Sequence, residues 1–186
     1  MSDLKIGFIG LGEAAYNISL GLKGEGITGI RANDAMMNDA VMGRQVHQRA
    51  EEAGVTLVGS AGEIAAWADI LFAAVPSSCT MDVCRTIKDS LRAGEIYVDV
   101  SASTPGTKQA IWDAVKDTGV LFADAAMLGS LPASKHQVPI TASGNGAAAF
   151  KELMEPYGMK ITLAGAQPGS ASAIKLIRSI YMKGIA

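Results

Sequence analysis

The stretch KIGFIGLGEAA, Lys5 to Ala15, decides the fold. An apolar run of strand length, KIGFI, leads into Gly10, Gly12 and Ala15, which are spaced as G-x-G-x-x-G/A and open a helix-forming segment. Gly10 permits a tight turn, Gly12 lets the backbone approach a pyrophosphate, and Ala15 keeps the helix close to the strand. The backbone of Gly10, Leu11, Gly12, Glu13 and Ala14 is then expected to meet phosphate oxygens, where free N–H groups and the helix dipole favour anions. Glycine turns are common, so the pattern needs its surroundings to carry weight.

Those surroundings are an alternation. Short apolar runs occur at Lys5–Ile9, Ile27–Asn33, Val55–Val58, Ile70–Val75, Ile96–Val100, Val120–Asp124, Val138–Ala142 and Met159–Leu163. Amphipathic stretches of helix length lie between them, at about 12–24, 39–53, 61–67, 78–92, 105–118, 146–156 and 169–183. Several runs are apolar on both faces, as strands of a parallel sheet covered on both sides must be. A composition with 21 glycines and only 5% aromatic residues suits helices lying close on such a sheet. The expected class is α/β: a doubly wound Rossmann-type sheet, mostly parallel, of about seven or eight strands. Residues 1–167 form this dinucleotide-binding domain. Residues 168–186 read as the start of a long helix that leaves it, since no strand follows.

The second run ends in Asn33–Asp34, twenty-two residues after Gly12, near the ~20 expected of the acid that holds the adenosine ribose. Ala35, Met36 and Met37 follow, with no adjacent arginine for a 2′-phosphate. The expected cofactor is NAD, with NADP left open because Arg31 and Arg44 are within reach. The alternative for Asp34 is a cap on the helix that begins near Asn38 or Asp39. Two more strand ends, AAVPSS (Ala73–Ser78) and DVSAST (Asp99–Thr104), are expected at the same crevice, with Ser77, Ser78, Ser101 and Ser103 facing it. Ser78 and Thr104 read equally well as helix caps.

Other classes find little support. A net charge of −2 gives no reason to propose a nucleic acid or a membrane as partner. Cys79 and Cys84 would sit about 140° apart around one helix, poorly placed for a disulfide, and with two histidines no metal-ligand cluster emerges. No leader peptide and no apolar run near the ~20 residues of a membrane span is expected, which makes the cytoplasm the default compartment.

Several stretches together resemble the 3-hydroxyacid dehydrogenase superfamily, the group of 6-phosphogluconate and 3-hydroxyisobutyrate dehydrogenases. They are IGFIGLGEAA, ADILFAAVPSS, IYVDVSASTPGTK, ADAAMLGSLP and GSASAIKLIRS. The likeness covers essentially the whole chain and is greatest to an uncharacterised NAD-binding branch in which ASxxKxxRSxxxKG recurs, here Ala171–Gly184. The resemblance implies hydride transfer between nicotinamide and a small hydroxy acid, or a related carbonyl or imine. Lys175 is then the general base on the substrate hydroxyl. It further implies that Val75, Pro76 and Ser77 pass the second ribose and that Ser101 borders the nicotinamide. Ser101, Ala102, Ser103, Leu128, Gly129, Arg178 and Ser179 would form the substrate pocket. Two positions depart from the superfamily: Ser179 stands where an asparagine is usual, and Leu128 where a serine contacts substrate. A non-catalytic dinucleotide-binding module therefore stays open as the rival. The superfamily continues past this helix into an all-helical domain that covers the substrate and forms a homodimer. The chain reads as lacking it, its helix carrying a polar seam of Lys175, Arg178, Ser179, Met182 and Lys183 up to Ile185–Ala186.

Of the remaining residues, His136 in PASKHQVP is expected to be a solvated loop histidine. Trp67 and Trp112 are expected to pack, Met36 and Met37 to lie along an adenine slot or fill gaps, and Cys79 to be structural.

Overall fold

The structure, a computed structural model, describes residues 4–184 apart from the side chain of Lys183. Met1–Asp3, Ile185–Ala186 and the place of the Lys183 side chain in the polar seam lie outside the described residues. The strands are β1 (Ile6–Ile9), β2 (Ile30–Asn33), β3 (Thr56–Leu57), β4 (Ile70–Ala73), β5 (Ile96–Asp99), β6 (Leu121–Met127), β7 (Ile140–Ser143) and β8 (Ile161–Leu163). The helices are α1 (Glu13–Gly24), α2 (Met42–Ala53), α3 (Ala61–Trp67), α4 (Thr80–Ile87), α5 (Pro105–Val115), α6 (Leu131–Ser134), α7 (Ala147–Met154) and α8 (Ser170–Gly184). All eight apolar runs hold a strand, most of them shorter than the run because its ends turn away. The expected helix over 78–92 is α4 followed by a 3₁₀ turn, Lys88–Ser90. The four-residue α6 has too little periodicity to be legible beforehand.

The sheet order is β3-β2-β1-β4-β5-β6-β7-β8. Every pairing is parallel except β6 with β7, which is antiparallel through Asp124↔Ser143 to Met127↔Ile140. That pairing extends β6 three residues past the expected Asp124. The winding reverses between β1 and β4, whose carboxyl ends lie side by side. One face buries Phe8, Ile30, Phe72, Val98, Ala123 and Ile140 beneath α1, α2 and α7. Phe8 stacks on Phe72 at 5.0 Å, and Phe150 of α7 meets Phe72 edge-on at 5.8 Å, pairs that contribute about 1 kcal/mol each beyond area burial. The other face buries Leu71, Tyr97 and Phe122 against Ile64 of α3, Cys84 of α4 and Ile111 of α5. Trp112 stacks on Phe122 and Trp67 lies under the Arg31 guanidinium, so both tryptophans pack as expected.

Three features of the surroundings correct the sequence reading. His136 is buried, 5% exposed, not solvated: it packs between Gly21 and Gly158 with Nε2 3.4 Å from Glu25 Oε1, and a side chain at Gly21 would collide with the ring. The entry to α2 is capped by Asp39, whose Oδ1 accepts the N–H groups of Val41 and Met42, so Asp34 is not its cap. Ser78 caps nothing either, because α4 begins two residues later and has no side-chain cap. Thr104 does cap α5, accepting the N–H of Thr107 at 3.1 Å.

At the opposite, amino-terminal end of the sheet, Glu95 is buried with Oε1 unpartnered, while Oε2 accepts the N–H of Arg92 at 3.0 Å. Burial lifts its carboxyl to about 7 against the pull of Arg92. Among the described residues, no helix is long and apolar enough to cross a membrane.

Candidate functional site

A cleft of about 520 Å³ opens where β1 and β4 diverge, lined by Gly10, Gly12, Asp34, Met36, Val75 and Pro76 among others. This is where a doubly wound sheet takes its ligand, because the connecting helices leave to opposite faces there. Gly10 has φ +87°, and a Cβ on it would stand 2.5 Å from the Ala74 carbonyl oxygen. Only glycine lets the loop lie against β4. Over Gly12 nothing of the protein lies within 4 Å of where a Cβ would be, and the amino end of α1 has no side-chain cap. An open space facing uncapped helix N–H groups fits a pyrophosphate. Gly10→Ala is expected to cost about 1–2 kcal/mol for the left-handed backbone alone and to weaken NADH binding by more than tenfold, read by fluorescence titration beside a thermal melt. Unchanged binding would mean that the loop does not touch the dinucleotide.

Asp34 faces this cleft from the end of β2. Its Oδ2 accepts the N–H of Leu11 at 2.7 Å and its Oδ1 that of Met36 at 2.8 Å, so the carboxylate is held rigid against the glycine turn. The two arginines that left NADP open are elsewhere: Arg31 lies 4.2 Å over the Trp67 ring, and Arg44 lines a separate surface hollow with Met37 and His47. Sequence reading passed over Arg49, whose Nη1 donates to the Leu11 carbonyl at 3.3 Å and so braces the same turn from α2. Met36 lines the cleft; Met37 packs on the core. Val75 and Pro76 border the cleft, while Ser77 is exposed in the turn beyond them. Cys79, read as structural, is an exposed free thiol on the cleft wall, and Cys84 is the buried one.

A second group of residues gathers around α8, which lies on β6, β7 and α5. Gly169 starts that helix with φ +94°, its Cα so near α5 that a Cβ would be 2.7 Å from the Pro105 carbonyl oxygen. Lys175, Arg178 and Ser179 then line a hollow of about 300 Å³ with Met127, Leu128, Gly129 and Met182. Lys175 and Ser179 also line a smaller one, about 160 Å³, with Ser101, Ala102 and Ser103. The predicted substrate residues, far apart in sequence, are therefore brought together, with Lys175 on the wall common to both hollows. Burial holds its ammonium below the ordinary lysine value, the cation of Lys108 pushes the same way, and Asp124 opposes them.

Lys108 and Asp124 were missed at the sequence level, as was the role of Asp99. All three are fully buried, Lys108 pairing with Asp99 at 3.2 Å and with Asp124 at 3.5 Å. A signal was present: Lys108 shares the helical face of Ile111 and Val115, where a charge is out of place. Ser101 is less free than expected, since its N–H donates to Asp99 Oδ1 at 2.8 Å and its Oγ lies 2.8 Å from that of Ser103.

The comparisons with known proteins bear on the fold and the family. A conserved hypothetical protein from Sinorhizobium meliloti superposes with a TM-score of 0.90 at 31% identity, over 98% of this chain and 61% of that one. An uncharacterised 28.5 kDa protein of Methanothermus fervidus is 28% identical over 98% of this chain and 67% of its own length. The 2-(hydroxymethyl)glutarate dehydrogenase of Eubacterium barkeri is 24% identical over 97% and 59%. The chain thus spans about three fifths to two thirds of the length of these relatives. Residues 5–165 match the family model described as the NAD binding domain of 6-phosphogluconate dehydrogenase. The chain therefore belongs to that family of NAD-binding domains.

Proposed function

We propose that the chain is the cofactor-binding part of an NAD-dependent oxidoreductase that moves hydride between nicotinamide and a small hydroxy acid or related carbonyl compound. Lys175 serves as its general acid and base. The observation that carries this reading is the half-buried Lys175 on the wall shared by two hollows, beside the turn after β5, the strand paired with β4, whose end borders the cleft of the glycine turn.

NAD, when bound, supplies the hydride acceptor. Lys175, kept from holding its proton too firmly by burial and by Lys108, takes the hydroxyl proton as the carbon gives up hydride; in reduction its ammonium returns that proton. Arg178, exposed on the same hollow and without an ion pair among the described residues, offers two parallel donors to a substrate carboxylate. Ser179 contributes one hydroxyl and Leu128 an apolar wall, so the substrate differs from those of relatives with asparagine and serine there. Asp34, pinned by Leu11, accepts from the adenosine ribose. Val75 and Ser77 pass the second ribose, and Ser101 borders the nicotinamide.

The helix α8 (Ser170–Gly184) is then the start of an interdomain helix. Its exposed apolar residues, Ile174, Ile177, Ile180 and Tyr181, are a surface for the helical domain and homodimer that we assign to the remaining length of the relatives. Free Cys79, exposed, suits a reducing cytoplasm. Leu128 and Ser179 are also what a degenerate, non-catalytic binder or an imine-reducing relative would carry, and turnover by Lys175 variants separates these readings.

Titrating NADH and NADPH separately, with Asp34→Ala alongside, tests the cofactor without a substrate. NADH is expected to bind at least about tenfold more tightly, because a fixed carboxylate repels a 2′-phosphate, and Asp34→Ala is expected to erase the difference. Tighter binding of NADPH by the parent chain would overturn the role given to Asp34.

A further inference from the structure

The register of the sheet aligns Ala73, Asp99, Asp124 and Ser143 across four neighbouring strands. Two buried carboxylates therefore stand side by side, an arrangement that needs a cation. Lys108 supplies it from α5. Its ammonium also donates to the carbonyl oxygens of Asp99 at 2.9 Å and Ser101 at 2.8 Å. That fixes the turn after β5, whose Ser101 and Ser103 hydroxyls are bonded to each other.

On the other side of the cation, Asp124 accepts the N–H of Ser172 at 2.9 Å and its hydroxyl at 2.7 Å. Ser143 Oγ, 3.4 Å from Asp124 Oδ2, accepts the N–H of Ala171 at 3.0 Å. Asp124 and Ser143 thus hold the first turn of α8, where orphan N–H groups and the dipole favour an anion. Lys175 comes three residues after Ser172, on the same side of the helix. A buried ion cluster adds little net stability over well-packed apolar side chains. What this one does supply is a link between the two segments that meet at the hollow of Lys175.

We propose that Lys108 is a positioning residue for Lys175: through Ser101 on one side and Asp124 with Ser172 on the other, it holds the serine turn and the first turn of α8 in one fixed relation. Its charge also lies behind Lys175, whose charged neighbours are Lys108 from α5, Asp124 from β6 and Arg178 on α8 itself. The importance of that role rests on Lys175 being the acid and base of the proposed reaction, but its test needs neither substrate nor cofactor.

The intact chain is labelled with a small amount of acetic anhydride across pH 6–10, and acetylation of Lys175 is compared with that of exposed Lys160 by peptide mass spectrometry. In the parent, Lys175 is expected to react at lower pH than Lys160. Lys108→Met leaves Asp99 and Asp124 unneutralised, and is expected to cut the Lys175 to Lys160 labelling ratio at pH 8 by roughly threefold or more. Deuterium exchange in the peptide that spans 170–176 should quicken by about tenfold while α1 keeps its rate. If circular dichroism shows that Lys108→Met does not fold, Lys108→Met/Asp99→Asn removes the charges as a pair and leaves Asp124 on Ser172, and the labelling ratio is again expected to fall. An unchanged labelling ratio in the folded variant used, or unchanged exchange in folded Lys108→Met, overturns the proposal. The assignment of Lys175 as acid and base fails separately, if the Lys175 variant turns over at the parent rate.

Discussion

Lys175→Ala is expected to lower turnover by about 10²–10⁴-fold, the range a positioned proton-transfer group contributes, while NADH binds within about twofold of the parent. The measurement is made on the domain together with the helical part assigned to it above, once a screen of hydroxy acids and their oxo partners has identified a substrate. The separation is expected because Lys175 lines the hollows beside Ser101 and Arg178, while the cleft assigned above to the dinucleotide is lined by Gly10, Gly12, Asp34 and Val75. Loss of turnover with binding intact puts Lys175 on the reacting hydroxyl. Equal turnover would remove it from the chemistry and leave its lowered proton affinity a consequence of burial and of the neighbouring Lys108 cation. Loss of both would make it a structural residue of α8.

Stability is expected to fall as pH rises from about 5 to about 7.5, through Glu95. Its carboxyl titrates near 7 in the folded chain, against an ordinary 4.5. Between those values the folded chain holds a proton that the unfolded chain has released, so stability declines across the window and levels off above it. The span corresponds to about 3 kcal/mol at most. Glu95→Gln, which keeps an acceptor for the N–H of Arg92, is expected to match the parent at pH 5 and exceed it at pH 8 by up to that amount. Urea unfolding of both proteins at several pH values reads the difference directly. Parallel curves would show that Glu95 reaches water in the folded state.

What could be read in advance was local in origin. The glycine turn is a contiguous backbone requirement, and Gly10 with φ +87° against Ala74 meets it as the spacing implied. The apolar runs were legible because a strand buried on both faces has no polar positions to spare, as in Ile70–Ala73. Thr104 before Pro105 announced a helix start, and one was found there. The substrate residues were assembled from resemblance, since nothing within GSASAIKLIRS says which strand ends it will face.

The misses share one cause. His136 sits in a polar stretch, PASKHQVP, yet is buried because Gly21 leaves a gap for its ring more than a hundred residues earlier in the chain. The antiparallel direction of β7 has no mark in VPITAS. It follows from residues 128–139, a link holding the short α6 and a 3₁₀ turn, Lys135–Gln137, where a parallel return takes a longer crossover helix. Asp99 and Asp124 each look like a strand-end acid until the register sets them side by side with Lys108 between them. By itself, then, the sequence determined the alternation, the turn chemistry and the cleft beside the glycine turn, because each depends on neighbours within one or two elements. Only the tertiary structure decided which charges are buried together and what holds Lys175 in place, because those energies arise between residues that meet solely through the register and packing of the whole sheet.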